Sequence, residues 1–136
     1  MRFGGVALAF VMAGACSEPK SAGLRVPLPE GWAASEGAPG VLRVGPRGRA
    51  VLTLERRAAR LPTVEVLRAA VEAENGVVVR AVGDPGSTGV RYTRGSSAGL
   101  LVVRTLESGK VLLCASTPEA SELDFDPAET LCAQVR

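Results

Sequence analysis

The side chains that carry most protein chemistry are scarce in this sequence. The chain has three cysteines and no histidine. Ser–His–Asp and Cys–His catalysis are therefore excluded, and so is the commonest metal ligand. Asp124 and Asp126 flank Phe125 and could act as an acid–base pair or hold calcium, but Asp126 fits better as a helix cap and Asp124 as part of a solvated loop. We expect a protein that is not an enzyme and that holds neither a metal nor a cofactor.

The first cysteine follows a segment that is typical of export. Arg2 is followed by mostly apolar residues, and the small residues Ala13, Gly14 and Ala15 stand directly before Cys16. This is the order of a secretory signal, and the apolar run is shorter than the ~18–20 residues of a membrane-spanning helix. The sequence Ala13-Gly14-Ala15-Cys16 resembles the lipobox of bacterial lipoproteins. The alternative is an ordinary secreted protein that is cleaved near a cysteine.

The lipoprotein resemblance has consequences for the rest of the chain. It implies a signal peptide at 1–15, acylation of Cys16, and a mature protein that begins at that cysteine. Residues 16–23 are small and polar and would form a flexible tether. Ser17 takes the place of the aspartate that retains many lipoproteins in the inner membrane. The resemblance therefore implies a lipid anchor in the outer membrane, with the domain facing the periplasm.

The two remaining cysteines form an even pair. In an oxidising cell envelope the simplest interpretation is a disulfide between Cys114 and Cys132. Two buried free thiols are the alternative. A zinc site is disfavoured because two sulfur ligands without a histidine make a poor zinc shell.

Charge is balanced overall but unevenly distributed. The whole chain carries a formal net charge of +2 and would be close to neutral without Arg2. This balance argues against binding to nucleic acid. Arginines crowd residues 43–60, whereas acidic residues dominate 119–129. A solvated surface with incidental pairing is one interpretation. The other is a surface that binds an anionic partner, such as lipid phosphate, an acidic glycan or an acidic protein patch, and its candidates are Arg43, Arg47, Arg49, Arg56 and Arg57.

Arginines also interrupt three apolar strands. These residues, Arg80, Arg91 and Arg104, are expected to share the solvent-facing side of the sheet.

Hydrophobic patterning predicts one α+β domain over residues 24–136. Strands are expected at 24–28, 41–44, 50–55, 77–82, 90–93, 100–106 and 111–115, with 77–82 in the sheet interior. Residues 33–40 and 83–89 are expected to form loops. Trp32 is expected to cover the end of the core, with ligand stacking as the alternative.

Two helices are expected to pack on this sheet. The first starts at Thr63 and stops at Asn75-Gly76, and the second starts with Asp126 as its cap and Glu129 completing a capping box. Apolar spacing places Cys132 on the sheet-facing side of the second helix, with Ala128, Leu131 and Val135. The sequence therefore predicts a single, mostly antiparallel sheet of about six strands, two covering helices and one disulfide.

The element order and the segment Leu28-Pro29-Glu30-Gly31-Trp32 resemble the PsbP-like fold. That resemblance implies an accessory or binding role, because members of the family mostly assist larger assemblies. It transfers no catalytic residue. We therefore expect a small envelope lipoprotein with a non-catalytic role, docking to a membrane complex or an anionic envelope component. The alternative function is a periplasmic small-ligand carrier with a pocket between the helices and the sheet.

Overall fold

The computed structural model describes residues 23–136. The signal peptide at 1–15, the lipidation residue Cys16 and most of the tether at 16–23 therefore lie outside the described residues. Within the described part, no helix is both long and apolar enough to cross a membrane.

The described residues build one antiparallel sheet. It has seven strands rather than about six, in the order β1-β2-β3-β7-β6-β5-β4. The strands are β1 (Trp32–Glu36), β2 (Val41–Pro46), β3 (Leu52–Arg57), β4 (Val77–Val82), β5 (Ser87–Arg94), β6 (Ser97–Thr105) and β7 (Val111–Ser116). The helices are α1 (Val64–Ala73) and α2 (Phe125–Gln134).

The two helices cover opposite faces of this sheet. In β6, Leu100 and Val102 belong to the core beneath α2. Their neighbours Leu101 and Val103 belong to a smaller core beneath α1. This division follows from the alternation of side chains along a strand. The α+β architecture with two packed helices is confirmed.

Helix α1 begins and ends as its sequence indicates. The Thr63 hydroxyl accepts a hydrogen bond from the Val66 amide at 3.3 Å, which caps the first turn. Leu67 and Val71 are buried against the sheet. Asn75 takes a left-handed conformation with φ of 67°, and this conformation ends the helix.

Both predicted hairpins are present. Strand β2 pairs with β3, and β6 pairs with β7. Strand β6 is the longest strand, with nine residues. These pairings were predictable because a short glycine-containing turn separates two apolar segments in each case.

The N-terminal part of the domain differs from the expectation. Residues 24–28 are not a strand, although Leu24 and Val26 are fully buried. Arg25 instead exchanges two backbone hydrogen bonds with Arg136. Prolines 27 and 29 lack the N–H groups that a longer ladder would need.

The segment predicted as a loop at 33–40 supplies the edge strand β1. Its small residues are tolerated because the strand is largely exposed. Trp32 begins this strand and is partly buried against the core beneath α2. The core-packing interpretation of Trp32 agrees with this position.

Two further strand predictions were wrong. Strand β4 lies at the sheet edge rather than in the interior, and Val77 and Val79 are 64% and 63% exposed. Its apolar run therefore did not indicate burial on both faces. Residues 87–89, expected within a turn, belong to β5 and pair with β6. The extra pairing lengthens this hairpin by backbone hydrogen bonds, which hydropathy does not report.

Helix α2 covers the larger core through the predicted face. Ala128, Leu131, Cys132 and Val135 are each at most 1% exposed. Cys132 is bonded to Cys114 on β7, which confirms the disulfide. The bond joins the helix covalently to a central strand of the sheet.

We expect the Cys114→Ala/Cys132→Ala variant to lose about 3 kcal/mol of its free energy of unfolding, because the bond closes a loop with a sequence separation of 18 residues. Urea denaturation followed by far-UV circular dichroism measures this loss. As the control, a reductant should shift the wild-type transition and leave the variant unchanged. Equal stability of the two proteins would contradict the prediction.

Candidate functional site

The five candidate arginines do not form one continuous surface. Arg43 and Arg57 lie on the face of the sheet that carries α1, and Arg56 lies on the α2 face. Arg47 and Arg49 lie in the β2–β3 connection. Alternation along β3 separates Arg56 from Arg57, although the two are adjacent in sequence.

Three of these arginines are exposed around the β2–β3 hairpin where α1 does not cover it. We call Arg43, Arg47 and Arg57 the open arginine surface. Arg57 donates a hydrogen bond to Glu55 at 3.1 Å. Arg43 and Arg47 form no ion pair with any residue in the range 23–136. This surface is accessible to an anionic partner, and its binding role stays a prediction.

Arg49 is bound to other residues of the domain, although its side chain is 41% exposed. Its guanidinium donates to both carboxylate oxygens of Asp124, at 2.7 and 3.2 Å. It also donates to the Glu119 carbonyl oxygen at 3.3 Å. A bidentate arginine–carboxylate pair is geometrically specific. Arg49 therefore links the β2–β3 connection to the segment that leads into α2. Arg49 also lines a groove of about 410 Å³ beside β1, together with Arg43.

The expectations for Asp124 and Asp126 were wrong. Asp124 is 8% exposed rather than solvated. It closes a short 3-10 turn, Glu122–Asp124, and accepts a hydrogen bond from the Ser121 amide at 2.8 Å. Helix α2 starts directly after this turn at Phe125, so Asp126 lies inside the first helical turn and is not its cap.

Glu129 does not complete a capping box. It accepts a hydrogen bond from Nε of Arg91, and Asp126 accepts one from Nη2 of the same arginine at 2.7 Å. The Arg91 guanidinium also lies 5.6 Å from the centre of the Phe125 ring. Burial acts to lower the pKa of Arg91, but these two carboxylates hold it above its ordinary value.

The three strand arginines share one face, but that face is not the solvent-facing one. In the register of the sheet, Arg80 pairs with Arg91, and Arg91 pairs with the buried Leu100 beneath α2. Arg104 pairs with Leu112, which is also in this core. The sequence marked these residues as interruptions of apolar strands. It did not show that α2 lies over them, because helix placement depends on tertiary packing.

A cleft of about 350 Å³ opens between α2 and the sheet beside Arg104. Val82 and Val102 contribute from the sheet, and Thr130 and Ala133 contribute from α2. Its charged lining residues are Asp84, Arg104 and Glu129. This cleft has the size of a small-molecule site, and its walls are mixed rather than apolar.

Among residues 23–136, no three histidine, cysteine, aspartate or glutamate side chains are grouped as metal ligands would be. The chemistry that the arrangement supports is recognition of anions by arginine. The carboxylates of α2 and of the segment before it orient Arg49 and Arg91.

Asp124 makes stability depend on acid pH. The hydrogen bond from Arg49 holds the pKa of this carboxyl below its usual range, against the opposing effect of burial. Because the pKa is lower in the folded state, the ionised carboxylate stabilises the fold above the unfolded pKa of about 4. That stability is lost as the pH falls through the folded pKa.

We expect Asp124→Asn to reduce the free energy of unfolding by about 1–2 kcal/mol at pH 7. The difference from wild type should shrink as the pH falls below about 4, where the unfolded carboxyl takes up a proton, and should disappear below the lower pKa of the folded carboxyl. Urea denaturation at a series of pH values from about 2.5 to 7 measures both effects, because this series spans the carboxyl pKa values.

Glu122→Gln is the matched control, because Glu122 lies in the same 3-10 turn and is exposed. This control should keep the wild-type stability at every pH. An Asp124→Asn variant with wild-type stability at pH 7 would show that the Arg49 pair contributes nothing.

Comparison with known proteins gives a likeness in structure but none in sequence. No protein-family profile matches the chain. No curated protein is significantly similar to it. The structure is similar to the solution structure of cyanobacterial PsbP (CyanoP) from Synechocystis sp. PCC 6803, with a TM-score of 0.50 and 17% identity over 88% of this chain and 89% of that chain. At this identity the likeness shows the fold alone, and the chain therefore has the PsbP-like fold.

Proposed function

We propose that this protein is a lipid-anchored accessory protein of the bacterial cell envelope, without catalytic activity. Acylated Cys16 holds it in the outer membrane, and residues 24–136 face the periplasm. The domain docks to a membrane complex or to an anionic envelope component. The order of residues 1–16 supports the anchor, because an export segment ends in Ala13-Gly14-Ala15-Cys16.

The observation that carries the accessory role is the PsbP-like fold. It agrees with the resemblance seen in the Leu28–Trp32 segment and in the element order. The composition of the chain supports a binding role over an enzymatic one. Without histidine, a general base near neutral pH would need a strongly shifted carboxyl, lysine or cysteine pKa.

The docking surface that we favour is the open arginine surface. Arg43 and Arg47 have no ionic partner among residues 23–136, and Arg57 has only the neighbouring Glu55. Arg49 and Arg56 are assigned no part in this docking, because Arg49 is bound to Asp124 and Arg56 lies on the other face. An acidic protein patch fits exposed guanidinium donors that are spread along one hairpin.

A second candidate function is that of a periplasmic small-ligand carrier. The cleft of about 350 Å³ between α2 and the sheet favours it. Such a carrier would retain its ligand in native mass spectrometry. A second species, heavier by the mass of a small organic molecule, would support this function over docking.

The intact mass of the protein purified from its native membranes tests the anchor. We expect a chain that starts at Cys16 and carries added acyl mass. Reduction should add the mass of two hydrogens, because one disulfide is opened. A mature chain without acyl groups would contradict the anchor, and Cys16→Ser is the matched variant that should lose membrane attachment.

Crosslinking at the membrane tests the open arginine surface. We expect the yield of crosslinked partner to be at least tenfold lower for the triple variant Arg43→Gln/Arg47→Gln/Arg57→Gln than for wild type. The reason is that these three side chains donate the hydrogen bonds that recognise its carboxylates. The melting temperature should remain within a few degrees of wild type, because the three residues are exposed.

A charge-matched triple variant serves as the control for this experiment. Arg68→Gln/Arg80→Gln/Arg94→Gln removes three exposed arginines in the half of the domain that contains α1, β4 and β5. It should recover the partner as wild type does. Equal loss in both triple variants would indicate a general charge effect and would contradict a specific surface.

A further inference from the structure

Arg104 is partly buried and carries one donor atom without a partner in the described part of the chain. Its Nη1 atom is buried and has no hydrogen-bond partner among residues 23–136. Burial lowers the pKa of this guanidinium, and the nearby Arg136 lowers it further. A buried charged donor without a partner costs free energy, and native proteins retain few of them without a reason.

A second arginine stands in the same row of the sheet. Leu112 on β7 pairs with Arg104 on one side and with Arg56 on the other. The two arginines therefore point to the same face, with their Cα atoms about 10 Å apart across one intervening strand. Leu112 is fully buried between them. Two long side chains at this separation can converge on one small anion.

These arginines line a cleft of about 250 Å³ together with Arg136. Glu107 is the acidic residue in its lining, and it forms an exposed ion pair with Arg136 at 3.7 Å. The neighbouring cleft beneath α2 shares Arg104 but contains Asp84 and Glu129 instead. Charge therefore favours an anion in the cleft that holds three arginines. We call this cleft the triple-arginine cleft.

The triple-arginine cleft also lies close to the chain segment that leads to Cys16. Gly23 contributes to its lining. A Cβ atom at Gly23 would come within 2.7 Å of the Arg56 guanidinium, so this guanidinium rests on the Gly23 backbone. Residues 16–23 span at most about 25 Å when fully extended. An acylated Cys16 would thus keep the cleft within reach of the phosphates at the membrane surface.

We propose that the triple-arginine cleft binds the phosphate group of an anionic phospholipid, held by Arg56, Arg104 and Arg136. Guanidinium groups match phosphate oxygens with paired hydrogen bonds, and a phosphate in the cleft would give Arg104 a charged acceptor. This site rests on the proposed lipid anchor for its access to the membrane. It would orient the domain by a second attachment point, which a flexible tether alone cannot supply.

Titration of the mature protein, purified from its native membranes in a neutral detergent, tests the site. The probes are a water-soluble short-chain phosphatidylglycerol, the zwitterionic phosphatidylcholine of equal chain length, and inorganic phosphate. NMR of the arginine Nε–Hε groups reports binding. We expect phosphatidylglycerol to shift the Arg104 signal and to bind at least tenfold more tightly than phosphatidylcholine.

Variants on either side of Leu112 identify the residues responsible. Arg104→Gln and Arg56→Gln should each weaken phosphatidylglycerol binding at least tenfold. Arg104→Lys should restore only part of it, because an ammonium group lacks the planar fork of donors. Arg43→Gln is the control and should bind as wild type does, since Arg43 lies on the opposite face.

Several outcomes would overturn the proposal. The first is that the protein binds inorganic phosphate but not phosphatidylglycerol. The second is equal affinity for phosphatidylglycerol and phosphatidylcholine. The third is that Arg104→Gln and Arg56→Gln both bind phosphatidylglycerol as wild type does. The titration uses soluble lipids and does not depend on whether Cys16 is acylated. An absent acyl mass with intact lipid binding therefore refutes the anchor alone, whereas an acylated protein that binds no lipid refutes the cleft.

Discussion

The burial of one sheet face beneath α2 is the constraint on which the rest of the domain depends. A helix of ten residues is marginal in isolation, so packing and bonds to the sheet must hold it. Phe125 and Leu131 fill the core below it. The Cys114–Cys132 bond joins its far half to β7, and carboxylates near its start reach arginines of the sheet and of the β2–β3 connection.

In this arrangement, most of the acidic residues at 119–129 form ion pairs with arginines of the same domain. Asp124 binds Arg49, whereas Asp126 and Glu129 bind Arg91. The Arg49–Asp124 pair thus joins the arginine-rich stretch at 43–60 to the acidic stretch at 119–129. Among residues 23–136, Arg43 forms no ion pair, and the Nη1 atom of Arg104 has no hydrogen-bond partner. Pairing with carboxylates at or before α2 therefore separates Arg49 and Arg91 from the arginines that we propose as binding residues.

The two proposed arginine sites lie on different faces of the sheet. The open arginine surface lies around the β2–β3 hairpin, on the sheet face that carries α1 but outside the part that α1 covers. The triple-arginine cleft lies on the α2 face, beside the segment that leads to the proposed anchor. A domain held at the membrane by its anchor and by the cleft would direct its open surface toward a partner.

The sequence by itself determined the local features of this protein. Thr63 and Asn75 predicted both ends of α1, glycine-containing turns predicted two hairpins, and the helical spacing of Leu131 and Cys132 predicted the buried face of α2. These features depend on interactions between residues that are close in the chain, so their signals are local. The even pair of cysteines likewise predicted the disulfide. The order of residues 1–16 predicted a lipid anchor at Cys16, which lies outside the described residues.

Only the tertiary structure decided which residues lie together across the sheet. The exposed edge position of β4, the pairing of Arg49 with Asp124 and the row formed by Arg56 and Arg104 depend on strand order. Strand order follows from the joint packing of the whole sheet. A single hydropathy pattern is compatible with several strand orders, so the pattern does not determine the order. The sequence therefore identified the arginines as candidates, and long-range packing separated the internally paired ones from the accessible ones.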